Sequence, residues 1–194
     1  MKQAVFIHGG ETFDTYDAYL EALRSWTYSP QPVNEKRWKH TLSERLGDEW
    51  EVFMPLMPNK QNAKYEEWCI WFEKIIPHLK DGVVLVGHSL GGLFLAKYLE
   101  EHELPILVKA TFLAAAPFDT RDPEFSLSSS LDLFAKRAGK LFLYQSTDDP
   151  EVPFTALETF QLLLPNAEVR VFSDRGHIMQ PEFPELIEDI KSVA

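Results

Sequence analysis

The sequence predicts an α/β fold, a doubly wound and mostly parallel sheet of about six strands with helices on both faces, and three observations lead there. Six short apolar runs rich in β-branched and aromatic residues recur along the chain, at 4–7, 51–54, 83–86, 110–114, 141–144 and 169–172. Such runs, lacking polar alternation, suit strands covered on both faces. The longer segments between them carry helical spacing, at 64–79, 90–101, 154–164 and 184–193. Strands alternating with helices imply right-handed crossovers onto a parallel sheet. Finally, Asp81-Gly82 stands just before the third run, as a helix-to-strand turn requires.

One stretch departs from this rhythm. Residues 24–39 hold Trp26, Tyr28, Pro30, Pro32 and Trp38, and the prolines should interrupt any helix there. The stretch reads either as a lid over a pocket, with His8, Trp26, Tyr28 and Trp38 shaping an acyl site, or as an irregular loop with aromatic anchors. The chain has no internal repeat, and a small serine-rich cluster at 126–130 falls in a connection. At 194 residues the expectation is a single domain spanning 1–194.

Composition narrows the function classes. With 45% hydrophobic and 25% charged residues the chain can build a packed core. Its 19 basic and 30 acidic residues give a net charge of -11, which repels phosphate backbones and anionic lipid. Nucleic acid and membrane are therefore not expected as partners. The first apolar run meets His8-Gly9-Gly10 too soon for a signal-peptide core, and no stretch approaches the ~20 apolar residues of a membrane span, so a cytoplasmic location is expected. Cys69 is the sole cysteine, which leaves no disulfide or thiolate cluster. The histidines lack close ligand spacing, and neither metal nor cofactor is expected.

The chemistry is carried by Gly87-His88-Ser89-Leu90-Gly91, placed between the apolar run 83–86 and the helical segment 90–101. In a nucleophile elbow the serine occupies a strained strand-to-helix turn, and small residues two before and two after it let strand and helix approach. Gly87 and Gly91 meet that need. The Leu90 backbone N–H and the positive end of the helix dipole would then face an oxyanion. A second donor is expected from the loop after the first strand, where Gly10 is preferred, with Gly9 and Glu11 as neighbours in the same turn.

A serine hydroxyl needs a base, and histidine suits that task near neutral pH. His177 is preferred among six histidines because it follows the last apolar run, at the carboxyl edge where sites on open α/β sheets gather. An orienting acid comes from Asp148 or Asp149, just past the preceding run. Nucleophile, acid and base then follow one another as Ser89, Asp148 or Asp149, and His177, the chain order of the elbow-bearing hydrolases.

Together Gly87-His88-Ser89-Leu90-Gly91-Gly92, the block Gln145-Ser146-Thr147-Asp148-Asp149-Pro150-Glu151-Val152-Pro153 and Gly176-His177 resemble the small serine hydrolases related to retinoblastoma-binding protein nine and the bacterial YdeN-type proteins. The resemblance implies a compact α/β-hydrolase fold, serine hydrolase or esterase activity, and an acid directly before the proline, which is Asp149. The stretch 24–39 departs from the smaller relatives. The family name suggests a retinoblastoma-type partner, but the Leu-x-Cys-x-Glu docking pattern is absent, since Ile70 and Trp71 follow Cys69. The leading expectation is hydrolysis of a small-molecule acyl ester through an acyl-enzyme, with thioesters and amides open. A binding or regulatory protein on the same fold is the competing class, and it has no need to keep serine, acid and base together.

Overall fold

Each of the six apolar runs forms a strand in the computed structural model, which describes residues 1–28, 30 and 36–193. The strands are β1 (Lys2–Ile7), β2 (Trp50–Phe53), β3 (Val83–His88), β4 (Val108–Ala114), β5 (Lys140–Ser146) and β6 (Glu168–Phe172). They form one sheet in the order β2-β1-β3-β4-β5-β6, and every neighbouring pair is parallel. The chain first steps outward from β1 to β2, then returns past β1 to lay down β3. This reversal leaves a crevice at the carboxyl ends of β1 and β3, where open α/β sheets bind ligands.

The described residues form seven α-helices: α1 (Tyr16–Ser25), α2 (Trp38–Leu46), α3 (Tyr65–Glu73), α4 (Leu90–Glu101), α5 (Asp132–Arg137), α6 (Thr155–Leu163) and α7 (Pro184–Val193). Side chains alternate across each strand, so Val5, Ile7, Val83 and Leu85 enter one core while Ala4, Phe6, Val84 and Val86 enter the other. The first core is closed by α3 to α6 through residues such as Trp68, Phe94, Phe134 and Phe160. The second is closed by α2 and α7 through Trp38, Leu42, Leu186 and Ile190.

Three departures from the sequence reading have physical causes. The helix expected over 64–79 stops at Glu73 and resumes only as a single 3-10 turn, Ile76–His78. Pro77 lies within that turn and cannot donate an α-helical hydrogen bond. Helix α2 begins within the stretch expected to be irregular, because Trp38, Leu42 and Leu46 recur at four-residue intervals and all three are buried. Strand β6 is an edge strand and is largely exposed, with Val171 half accessible, so it is not the doubly covered strand its apolar run suggested. Residues 29 and 31–35 of the expected lid lie outside the described residues.

The tightest contact in the fold joins α4 to the ends of β1 and β3. A Cβ on Gly91 would stand 2.2 Å from the Ile7 carbonyl oxygen, and one on Gly87 would stand 2.5 Å from the Gly92 Cα. Neither position accepts any side chain without moving backbone. Gly91→Ala is therefore expected to lower unfolding free energy in urea by about 3 kcal/mol or more, as overpacking of a closed site does. Gly47, at φ +93 with open space around it, supplies the control. Gly47→Ala should cost only the penalty of its Gly-favouring backbone, φ 93 and ψ 176, roughly 1–3 kcal/mol, with no added packing term. Equal losses would show that α4 shifts off the sheet freely.

Candidate active site

Ser89 is the single residue between β3 and α4, and its backbone lies at φ +54 and ψ -128. A side-chain-bearing residue enters this left-handed region only where its surroundings impose it. They do so here from both sides of the residue. The Ser89 N–H donates to the Ala114 carbonyl at 2.9 Å, and the Ser89 carbonyl accepts the Gly92 N–H at 2.8 Å. Leu90 opens α4, and a first-turn N–H has no acceptor within its own helix.

His8, at the end of β1, sets the facing loop. Its Nε2 accepts the Met57 N–H at 2.9 Å, so its proton is on Nδ1, which donates to the Gly9 carbonyl at 2.6 Å. Burial lowers the pKa of His8, in keeping with this neutral form. In a trans peptide the carbonyl and the following N–H point opposite ways, so binding the Gly9 oxygen turns the Gly10 N–H away from His8. The Glu11 N–H is already taken by the Lys60 carbonyl at 2.8 Å, which removes Glu11 from the candidate oxyanion donors. Gly9 packs directly on the nucleophile, since a Cβ there would lie 2.9 Å from the Ser89 Cβ.

Asp149 and His177, the expected acid and base, lie in contact, and the adjacent aspartates make different contacts. His177 Nδ1 donates to the two Asp149 carboxylate oxygens at 2.9 and 3.1 Å, with both side chains almost fully buried. This leaves Nε2 without the proton in the neutral ring. Asp149 also accepts from Gln145 Nε2 and from the backbone N–H groups of Glu151 and Val152. Burial alone would raise its pKa, but the His177 contact and the two backbone donors outweigh that and hold it below the usual aspartate range. Asp148 turns elsewhere. Its Oδ1 accepts from the Ser146 hydroxyl and from the Gly176 N–H, which secures the loop that carries His177.

His88 clamps the same loop from beneath. It is buried, its Nε2 donates to the His177 carbonyl at 2.8 Å, and its ring lies 4.9 Å from that of His177. Burial first, and the nearby His177 second, push its pKa down to about 3. The ring is thus a neutral strut.

Ser89 and His177 open into one cleft of about 230 Å³ that Gly9, Gly10 and Glu11 also line. The aromatic residues expected in an acyl pocket are not there. Trp38 is a correction: it is 3% exposed, its ring packs edge-on against Phe6, His88 and Phe183, and its Nε1 donates to the Ile178 carbonyl. It supports His88 from the core. Trp26, which ends α1, and Tyr28 are exposed and do not line the cleft, and His8 lies beneath the glycine loop with its ring against Trp68. The cleft wall comes instead from Lys39, Lys60, Gln61, Glu151 and Met179, which composition and spacing did not single out. Glu151 stands 3.7 Å from His177 Nε2. One signal could have found Lys60 and Gln61, because they lie in the connection that follows the carboxyl end of β2, on the edge where the site forms.

A parallel sheet of this order, with a strained serine between its third strand and the next helix, defines the α/β-hydrolase class. The chain belongs to the serine hydrolase family, whose model matches residues 29–183. It is 26% identical over 140 residues to the serine hydrolase RBBP9 of Rattus norvegicus, spanning 71% of this chain and 74% of that protein. Its fold matches the ydeN gene product of B. subtilis with a TM-score of 0.79 at 21% identity, over 100% of this chain and 98% of the other. It also matches Est1E of Butyrivibrio proteoclasticus, solved with ferulic acid bound, with a TM-score of 0.61 at 13% identity, over 99% and 87% of the two chains. The RBBP9 and YdeN-like resemblance of the motifs holds for the fold as a whole. No helix among the described residues is long and apolar enough to cross a membrane.

The buried His88 makes stability depend on pH in a direction that follows from linkage. Its folded pKa of about 3 lies below its ordinary value of 6.5, so between these limits the unfolded chain binds more protons than the folded one. Stability is intact above that window and falls as pH drops through it. Unfolding free energies measured from pH 4 to 6 should fall more steeply in the wild type than in His88→Gln, by up to one proton, or about 1.4 kcal/mol per pH unit. Parallel curves would mean that the folded ring takes up a proton.

Proposed function

We propose that this serine hydrolase cleaves small carboxylic esters through an acyl-enzyme, with Ser89 as nucleophile, His177 as base and Asp149 as the acid that orients it. The observation that carries the reading is the His177 Nδ1 to Asp149 contact at 2.9 Å, in the cleft shared with Ser89. With Nδ1–H committed to a carboxylate, Nε2 is the only ring nitrogen able to take the serine proton. Ser89 Oγ then attacks the ester carbon as its proton passes to Nε2, and the carbonyl oxygen gains the negative charge. The Leu90 and Gly10 N–H groups are the proposed donors to that oxygen. Collapse expels the alcohol, which takes the proton from Nε2. Water, deprotonated by the same nitrogen, releases the acid and restores Ser89. The ferulic-acid-bound neighbour supports a carboxylic acyl group as the class of substrate.

A serine-directed fluorophosphonate is expected to add its mass to the Ser89 peptide of the folded protein, and Ser89→Ala should abolish both labelling and aryl ester turnover. Labelling of another residue, or of none, would overturn the reading. The two aspartates test the base. Asp149→Asn presents a donor where His177 needs an acceptor, so kcat/KM should fall about 10³ to 10⁴-fold, by analogy with the serine protease case. Asp148→Asn keeps an amide oxygen able to accept the Gly176 N–H, so the loss should stay under about tenfold. If the larger loss falls on Asp148, the orienting acid has been misassigned.

A further inference from the structure

A chain with net charge -11 places a group of cations around its nucleophile. Lys39, Lys60 and Arg37 are among the residues that line the cleft that holds Ser89. Lys39 lies in the first turn of α2, where the helix dipole disfavours a cation, and it is only half accessible. Neither Lys39 nor Lys60 has an ion-pair partner among the described residues, although this protein pairs lysines readily elsewhere, as in Lys64 with Asp122 and Lys97 with Glu101. Burial first, then the charges of Arg37 and Lys60, lower the pKa of Lys39, as expected for a cation crowded by its own kind. All three burdens on Lys39, namely its place on the dipole, its partial burial and its cationic neighbours, would be relieved by one bound anion.

We propose that Lys39 and Lys60 form an anion subsite beside Ser89 that selects esters bearing a free carboxylate at the end away from the scissile bond. The proposal rests on the esterase reading of the site. At about 230 Å³ the cleft is smaller than the ~300–1,000 Å³ of common ligand pockets, which favours a short ester. Glu11 and Glu151 also line the cleft, and burial followed by the charge of Glu151 raises the pKa of Glu11. A dianionic phosphate would meet more repulsion from these carboxylates than a single carboxylate would.

Two esters of 4-nitrophenol that differ only in exchanging a terminal methyl for a carboxylate, the butyrate and the hemisuccinate, isolate this term. In the wild type, kcat/KM for the hemisuccinate should exceed that for the butyrate by about tenfold at low salt, and added NaCl should erode the ratio. Lys39→Met and Lys60→Met should each lower the ratio about five- to tenfold. A ratio that neither variant nor salt changes overturns the proposal. Binding without turnover separates the subsite from the esterase reading. Butyrate, a monocarboxylate, should shift the backbone amide resonances of Gly9 and of residue 60 in the wild type, and the shifts should vanish in the Lys39→Met/Lys60→Met double variant. Absence of shifts overturns the subsite even if the esters are hydrolysed. Shifts without turnover of either ester uphold the subsite and overturn the esterase reading. Inorganic phosphate should bind more weakly than the monoanion butyrate, and tighter binding of phosphate overturns the choice of carboxylate.

Discussion

The close seat of α4 on the ends of β1 and β3 is the constraint from which the rest of the site follows. With hydrogen as its side chain, Gly91 brings the helix down to the Ile7 carbonyl, and Gly87 lets the first turn rest on the strand before it. Ser89, caught between them, has no room for an ordinary backbone conformation and takes φ +54. The strain is held by backbone hydrogen bonds at both its N–H and its carbonyl. A hydroxyl raised above the sheet edge and a free helix N-terminus beside it are two results of one packing event.

The loop that carries His177 is held with comparable redundancy, and each hold acts at a different atom. His88 fixes the carbonyl of residue 177, Asp148 fixes the N–H of residue 176, and Asp149 fixes the ring itself. Burial strengthens the contacts made by His88 and Asp149, while the Asp148 contact is exposed, because hydrogen bonds to charged or fully covered groups lose more when broken than exposed ones. Trp38 belongs to this scaffold, since its ring closes the core under His88. A cluster that reads as one catalytic dyad is therefore supported by the adjacent histidine, the adjacent aspartate and a tryptophan from the opposite end of the chain.

What could be read from the sequence was what depends on local pattern. The central apolar runs became strands because a doubly covered strand has no polar alternation to lose, and the elbow was legible because glycine is demanded at fixed offsets from the serine. The preference for Asp149 over Asp148 came from its place before proline and agrees with the geometry. The rest depends on tertiary contacts that no local pattern encodes. Helix α1 was missed because none of its residues is buried, so no core-facing stripe marks it, and the start of α2 because the prolines before it suggested an irregular stretch. Trp38 was assigned to a pocket because an aromatic side chain does not announce which way it faces. The lysines of the cleft came from two separate connections that only the sheet order brings together.

The contact between Gly91 and Ile7 also has a kinetic meaning. Its two partners are far apart in sequence, so forming it requires closing a long loop, whose entropy is repaid only when β1, β3 and α4 are all in place. A partly folded chain with α4 formed and β1 undocked has nothing to hold Ser89 in its left-handed conformation. The serine in such a chain relaxes to an ordinary turn. The strained backbone of Ser89 is thus a property of the native state alone, so on the proposed mechanism its chemistry would count correctly folded molecules.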